Sequence, residues 1–170
     1  MRQAKAIFFT AIAAMVLIHA PTAASAQKQV IIPETLKDSY ENFRFAPAVR
    51  AGDMVYLSGV VARLQDDETD ADITPAVVRA FEEIEMILKA SGGDWRDVVD
   101  VTSYLTDLDK YIGPMWAVKQ ERVPAPYPAW TAIGVSQLFG GEKAIIEIKV
   151  TAYLPLAEAA QSGTDGKAEN

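Results

Sequence analysis

The stretch AIIEIKVTAYL, Ala144–Leu154, decides how this chain folds. Successive side chains of a strand alternate between faces, so Ile146, Ile148 and Val150 point one way and Glu147, Lys149 and Thr151 the other. A second stretch, PAPYPAWTAIGV (Pro124–Val135), splits in the same manner: Thr131, Ile133 and Val135 oppose Trp130, Ala132 and Gly134. In a third, Met54, Tyr56 and Ser58 share a side. One face of the resulting sheet mixes aromatics, small residues and a few polar groups. That is too apolar for open solvent and too polar for a dry core, the character of a face that meets another subunit.

Outward from these strands, FRFAPAVRAGDMVYLSG reads as two strands joined by a turn at Ala51-Gly52-Asp53. Before it, residues 27–42 (QKQVIIPETLKDSYEN) read as an extended leader with polar turns. After it, RLQDDETDADI reads as a solvated acidic loop, without the glycine and closing glutamate that a calcium-binding loop needs at set positions. A helix follows, with Thr74 as its cap and Pro75 in the first turn. Val77, Phe81, Ile84 and Leu88 form its buried stripe, and Gly92-Gly93 its end. Arg79, Glu82, Glu83 and Lys89 read as its solvated side. Then come a strand, DVVDVTSYL, and a second helix over Asp109–Arg122, whose regular part is expected to begin near Pro114. The order is β-β-α-β-α-β-β, with room for a short extra strand before the first helix. This predicts an α+β domain over residues 43–156, a mixed sheet with both helices on one face. Residues 157–170, AEAAQSGTDGKAEN, lack large apolar side chains and are expected to be a disordered tail.

The N-terminus has a different character. Arg2 and Lys5 precede an apolar run from Ile7 to Ile18, and Ala24-Ser25-Ala26 supplies small residues for cleavage. Residues 1–26 therefore read as a secretory signal peptide, and the product as periplasmic or secreted. Their removal takes two of the 16 Lys and Arg and none of the 23 Asp and Glu, so the net charge of −7 becomes −9. It also takes His19, the one histidine of a chain with no cysteine. A Ser-His or Cys-His pair, the usual zinc sites and thiol redox chemistry are thereby excluded, and acid–base work falls to Asp, Glu, Lys, Tyr or held water. The acidic balance argues against a nucleic-acid partner. No cofactor, metal or membrane association of the processed chain is expected.

The blocks FAPAVRAGDMVYLSG, ILKASGGDWRDVV, VTSYLTDLDKY, PYPAWTAIGVSQL and AIIEIKVTAYLP, in this order, resemble the Rid family, also called YjgF or L-PSP, over about residues 30–155. The resemblance implies a chorismate-mutase-like α+β fold, a homotrimer with sheets packed into a central barrel, and ligand clefts between subunits. It also implies an activity, the hydrolysis of reactive 2-imino or enamine acids to 2-keto acids and ammonia. Members of that type carry a carboxylate-gripping arginine where this chain has Trp130, in PAW. The family's cleft asparagine falls on Met115, and the tyrosine of its first strand motif on Ala48. Ser58-Gly59 and Glu147 match, the glutamate standing where members place one near the attacking water.

Each of these residues has two readings. An arginine–carboxylate contact is bidentate and charge-assisted, and losing such a buried partner costs on the order of 2–5 kcal/mol. Trp130 has a single N–H and a broad apolar face, so it is either interface packing or, with neighbouring Thr131, a wall for an apolar ligand. Arg122 or Arg63 either restores the missing charge or sits on the surface. Ser58 is a strand-end hydroxyl or a ligand contact, and Glu147 an ion-pair partner or the group that positions water. The expected function is an exported trimer binding a small neutral or partly apolar molecule at Ser58, Gly59, Met115, Trp130 and Thr131. The alternative is an imine or enamine deaminase using Glu147 and a compensating cation. The older endoribonuclease label of the family is the weakest reading, given the charge and the missing histidine.

Overall fold

Ile146, Ile148 and Val150 are all buried, which makes β7 (Ala144–Tyr153) the spine of the sheet. The computed structural model describes residues 28–156; the expected signal peptide and tail lie outside the described residues. Antiparallel to β7 on one side runs β5 (Val98–Leu105). On its other side it pairs with two short strands in turn, β3 (Met54–Leu57) and β4 (Val60–Arg63). The sheet continues from β3 to β2 (Ala48–Ala51) and β1 (Gln29–Ile31). On the opposite edge β6 (Ala129–Gly134) lies parallel to β5. Among the described residues the result is one mixed seven-stranded sheet, in an α+β fold with three helices.

Two helices cover one face. α2 (Thr74–Ala90) buries Val77, Phe81, Ile84 and Leu88, the apolar stripe read from the sequence, and Ile87 beside them. Each such side chain contributes roughly 1.5–3 kcal/mol on leaving water. Glycines 92 and 93 end this helix as expected. Gly92 takes a φ of +90°, and the N–H groups of Gly92 and Gly93 donate to the carbonyls of Lys89 and Leu88, the paired bonds of a left-handed helix end. α3 (Leu108–Arg122) lies beside it with Tyr111, Met115 and Val118 buried.

Four local expectations need correction. Residues 27–42 are not merely an extended leader: β1 adds a strand to the sheet, and α1 (Lys37–Phe43) follows a short 3-10 turn at Glu34–Leu36. The edge of β2 offers unpaired backbone groups, and that pairing outweighs the polar composition of the segment. Thr74 does not cap α2 with its side chain; its N–H donates to the Asp72 carboxylate at 3.0 Å. α3 does not begin at Pro114 but runs through it, because Asp107 caps the helix about two turns earlier by accepting from the Lys110 N–H. Glu83 is not on a solvated face, since the segment around Leu36, Ser39 and Phe45 closes a recess of about 60 Å³ around it. Burial raises the Glu83 carboxyl pKa accordingly.

Candidate functional site on the open face

The register of β7 fixes which side chains meet. Glu147 lies opposite Tyr104 of β5 and Val61 of β4, and Tyr56 of β3 lies opposite Thr151. These residues face away from α2 and α3. Between the two strands that share the β7 edge, residues 57–59 span the interval that β7 crosses with residues 149–150. The extra residue makes a bulge at Ser58-Gly59, a device that interrupts pairing and re-aims side chains. Its shape is held by Ser58, whose N–H donates to the Pro47 carbonyl at 2.9 Å and whose hydroxyl donates to the Ala46 carbonyl at 2.7 Å.

Beneath this bulge lies the Glu147 carboxylate. A Cβ placed on Gly59 would stand 1.8 Å from Glu147 Oε1, so only glycine leaves the carboxylate its position. Glu147 is partly buried and has no hydrogen-bond or ion-pair partner among the described residues. It opens into a concavity of about 810 Å³ on the uncovered face of the sheet. Aromatic walls come from Phe45, Tyr56, Tyr104 and Phe139, and cations from Lys28, Arg44 and Lys149. Arg44 owes its place to the end of α1, where it takes a left-handed φ of 57° and its N–H donates to the Tyr40 carbonyl at 3.1 Å. The arrangement combines a lone acid able to accept a proton, nearby positive charge and apolar surface.

Of the residues singled out in the sequence, the fold brings Ser58, Gly59 and Glu147 together here. The others stand elsewhere. Met115 is fully buried in the core, with no surface on the concavity. Ala48, at the family's tyrosine position, is likewise buried. Trp130 pairs in register with Val101, a buried residue of the helix-covered face, and its indole turns to that side. It stacks on Phe81 at 6.4 Å between ring centroids, and its N–H donates to Ser103 Oγ at 3.0 Å. Thr131, its neighbour, is exposed on the edge strand with the opposite orientation. In this chain Trp130 and Glu147 therefore point to opposite faces of one sheet.

Neither arginine considered as a replacement charge lines the Glu147 concavity of its own chain. Arg122 pairs with Glu82 at 3.1 Å and Glu85 at 3.5 Å on α2, and Arg63 donates to the Gly140 carbonyl at 2.7 Å. Of the cations that do line it besides Lys149, Lys28 comes from the segment read as a leader and Arg44 from the block read as the first strand, and no spacing rule links either to the distant strand β7. Tyr104 and Lys149 carried a usable signal, since strand alternation puts both on the face of Glu147 once the pairing is known.

Comparison with known proteins settles the lineage. The sequence model described as Endoribonuclease L-PSP matches residues 38–154. The RutC family protein YjgH of Escherichia coli K12 is 35% identical over 130 residues, 76% of this chain and 97% of that protein. This chain belongs to the Rid family, also called YjgF or L-PSP. A solved structure of protein YJGH superposes on it with a TM-score of 0.65 at 32% identity, covering 76% of this chain and 98% of that one. Another Rid relative is named Reactive Intermediate Deaminase A, chloroplastic, from Arabidopsis thaliana. It is 31% identical over 137 residues, 76% of this chain and 69% of that protein. The fold expected of the Rid family is thus the fold observed.

Proposed function

We propose that this Rid protein is exported, assembles as a homotrimer, and binds a small, partly apolar metabolite in the concavity around Glu147. The observation that carries the reading is the Glu147 carboxylate itself. A carboxylate that opens on a concavity and has no partner among the described residues is left free to meet a ligand or a reacting atom. The four aromatic walls fit an apolar body, and the hydroxyl, carboxylate and ammonium groups that share the lining fit its polar part. A thermal-shift screen of small aliphatic and aromatic metabolites tests this. Hits should lose their shift in Glu147→Gln and in Gly59→Val, whose side chain takes the space of the carboxylate. Hits indifferent to both variants would place binding elsewhere.

A second reading makes the same site a deaminase. It is favoured by Arg44, Lys28 and Lys149, which supply in the concavity the positive charge that Trp130 does not, and by the name of the plant relative. In this chemistry Glu147 accepts a proton from water as the oxygen attacks the carbon of a C=N bond. The proton passes to nitrogen to give an amino alcohol; Glu147 then carries the hydroxyl proton to the amine, the C–N bond breaks as the carbonyl forms, and a carbonyl compound and ammonia leave. General acid–base help of this kind is worth about 10²–10⁴ in rate. Freshly generated 2-iminopropanoate and 2-iminobutanoate, followed by ammonia release, distinguish the readings. Turnover abolished in Glu147→Ala and shifted to higher KM in Arg44→Ala supports catalysis; no turnover, and none gained in Trp130→Arg, leaves the binding protein.

Assembly and export have their own tests. Tyr56, Ile133 and Tyr153 stay between 39 and 49% exposed on this chain, the apolar surface that a second copy would cover. Native mass spectrometry should return three chains, and a monomer would remove the interface from the proposal. Expressed with its full N-terminus, the protein should be recovered outside the cytoplasm beginning at Gln27.

A further inference from the structure

The side chain of Lys119 lies between two indoles. Its Nζ is 3.7 Å from the ring centroid of Trp116 and 4.3 Å from that of Trp130. Both distances are within the range of cation–π attraction, which favours the ammonium form. Lys37, Lys110 and Lys143 pair with Glu34, Asp70 and Asp66, whereas Lys119 has no carboxylate partner among the described residues. The charge is held by ring faces alone, which offer no lone pair. Burial acts against it and lowers its pKa, so an anion arriving here would relieve a real deficit.

The ammonium borders a concavity of about 370 Å³ lined by Trp116, Lys119, Gln120, Val123 and Tyr127. That volume lies in the range of small-molecule sites, roughly 300–1,000 Å³. Trp116 is 45% and Tyr127 73% exposed, so two aromatic faces are available for stacking beside one charge. The spacing on α3 produces the arrangement: Trp116, Lys119, Gln120 and Val123 follow the three- and four-residue steps that put side chains on one helical face. Trp130, on β6, does not line the concavity but holds the Lys119 ammonium from behind, and is fixed in turn by Phe81 and Ser103.

We propose that this α3–β6 concavity is a second binding site, for a small aromatic carboxylate whose ring stacks on Trp116 and Tyr127 and whose carboxylate pairs with Lys119. The proposal does not rest on the reading of the Glu147 concavity, since Trp130 and Glu147 occupy opposite faces of the sheet. Lys119 here is a binding residue, and Trp130 positions it.

The probes are 4-fluorophenylacetate, its neutral amide and 4-fluorophenethylammonium, each titrated into the full protein by fluorine NMR. The acid should bind saturably, with the amide about tenfold weaker or more, the worth of one charge-assisted contact. The ammonium probe should be repelled. Lys119→Met should bring the acid down to the level of the amide, and Lys119→Arg should restore the preference. Trp116→Ala should weaken acid and amide together. Indole N–H signals of Trp116 and Trp130 should move on binding, while that of buried Trp95 serves as an internal check of folding. Three outcomes overturn the proposal: no saturable binding, acid and amide binding alike, or a preference for the acid that survives Lys119→Met. Loss of acid binding in Glu147→Gln with no change in Lys119→Met would assign the acid to the other concavity instead.

Discussion

Ser103 and Tyr104 are adjacent on β5 and belong to different environments. Ser103 is fully buried, and its hydroxyl accepts from the Trp130 indole and donates to the Thr131 carbonyl at 3.3 Å. Tyr104 stands across the strand pair from Glu147, on a face where polar groups lack partners and aromatics lack cover. On the covered face Ser103 and Trp130 satisfy each other, although the buried Trp95 N–H has no partner among the described residues; on the open face the Glu147 carboxylate has none. Most of the stability should therefore reside beneath the helices and the chemistry of Glu147 on the open face, and substitutions can separate them.

The largest effect is expected beneath α2. Phe81 is fully buried and packs on Trp95 at 5.4 Å and on Trp130. Phe81→Ala should lose about 3–5 kcal/mol by denaturant unfolding. A value near zero would mean that the covered face is not the core. Next, Trp130→Phe keeps the ring and removes the bond to Ser103, which should cost about 1 kcal/mol.

Acid titration probes the rim of α2. Two bonds of 2.7 Å from Arg79 hold the Glu68 carboxyl down to about 2. A depressed carboxylate stabilises the fold above its unfolded pKa of about 4.3, and that contribution fades as the pH falls toward 2. Glu68→Gln should flatten the loss of stability across this window. Part of the slope should remain, because Asp94 is held at about 2 by Arg96 in the same way. The smallest stability effect belongs to the open face: Glu147→Gln should change unfolding free energy by less than about 0.5 kcal/mol. A large loss there would show that the carboxylate is structural and would erase the contrast between the faces.

The two-sided character of the sheet was legible in the alternation of residues 146–151, because period two is a property of the strand itself. The same alternation separated Trp130 from Thr131 and Ile133. It did not say which set faces the helices, since that depends on the parallel register with β5, a contact between segments roughly 30 residues apart. Glu147, Ser58 and Gly59 were legible through the family blocks in which they stand. Arg44 and Lys28 were not, because their role depends on a helix end and an edge pairing in a segment of polar composition. Met115 shows the reverse difficulty. A position matched to a cleft residue by motif became core here, because a helical stripe with Tyr111 and Val118 buries it.

Arg50 has a consequence for anyone who wishes to attach something to this protein. Its guanidinium donates to the Leu154 carbonyl at 2.6 Å and to the Ser91 carbonyl at 2.9 Å, while the Leu156 N–H reaches Asp53 at 3.2 Å. The end of β7 is thus moored to the β2–β3 turn and to the end of α2. Leu154 lies seven positions along the strand from Glu147, or roughly 23 Å at about 3.3 Å per residue. A dye or surface tether placed at Leu156 would have a fixed origin, one set well along the strand from the Glu147 carboxylate.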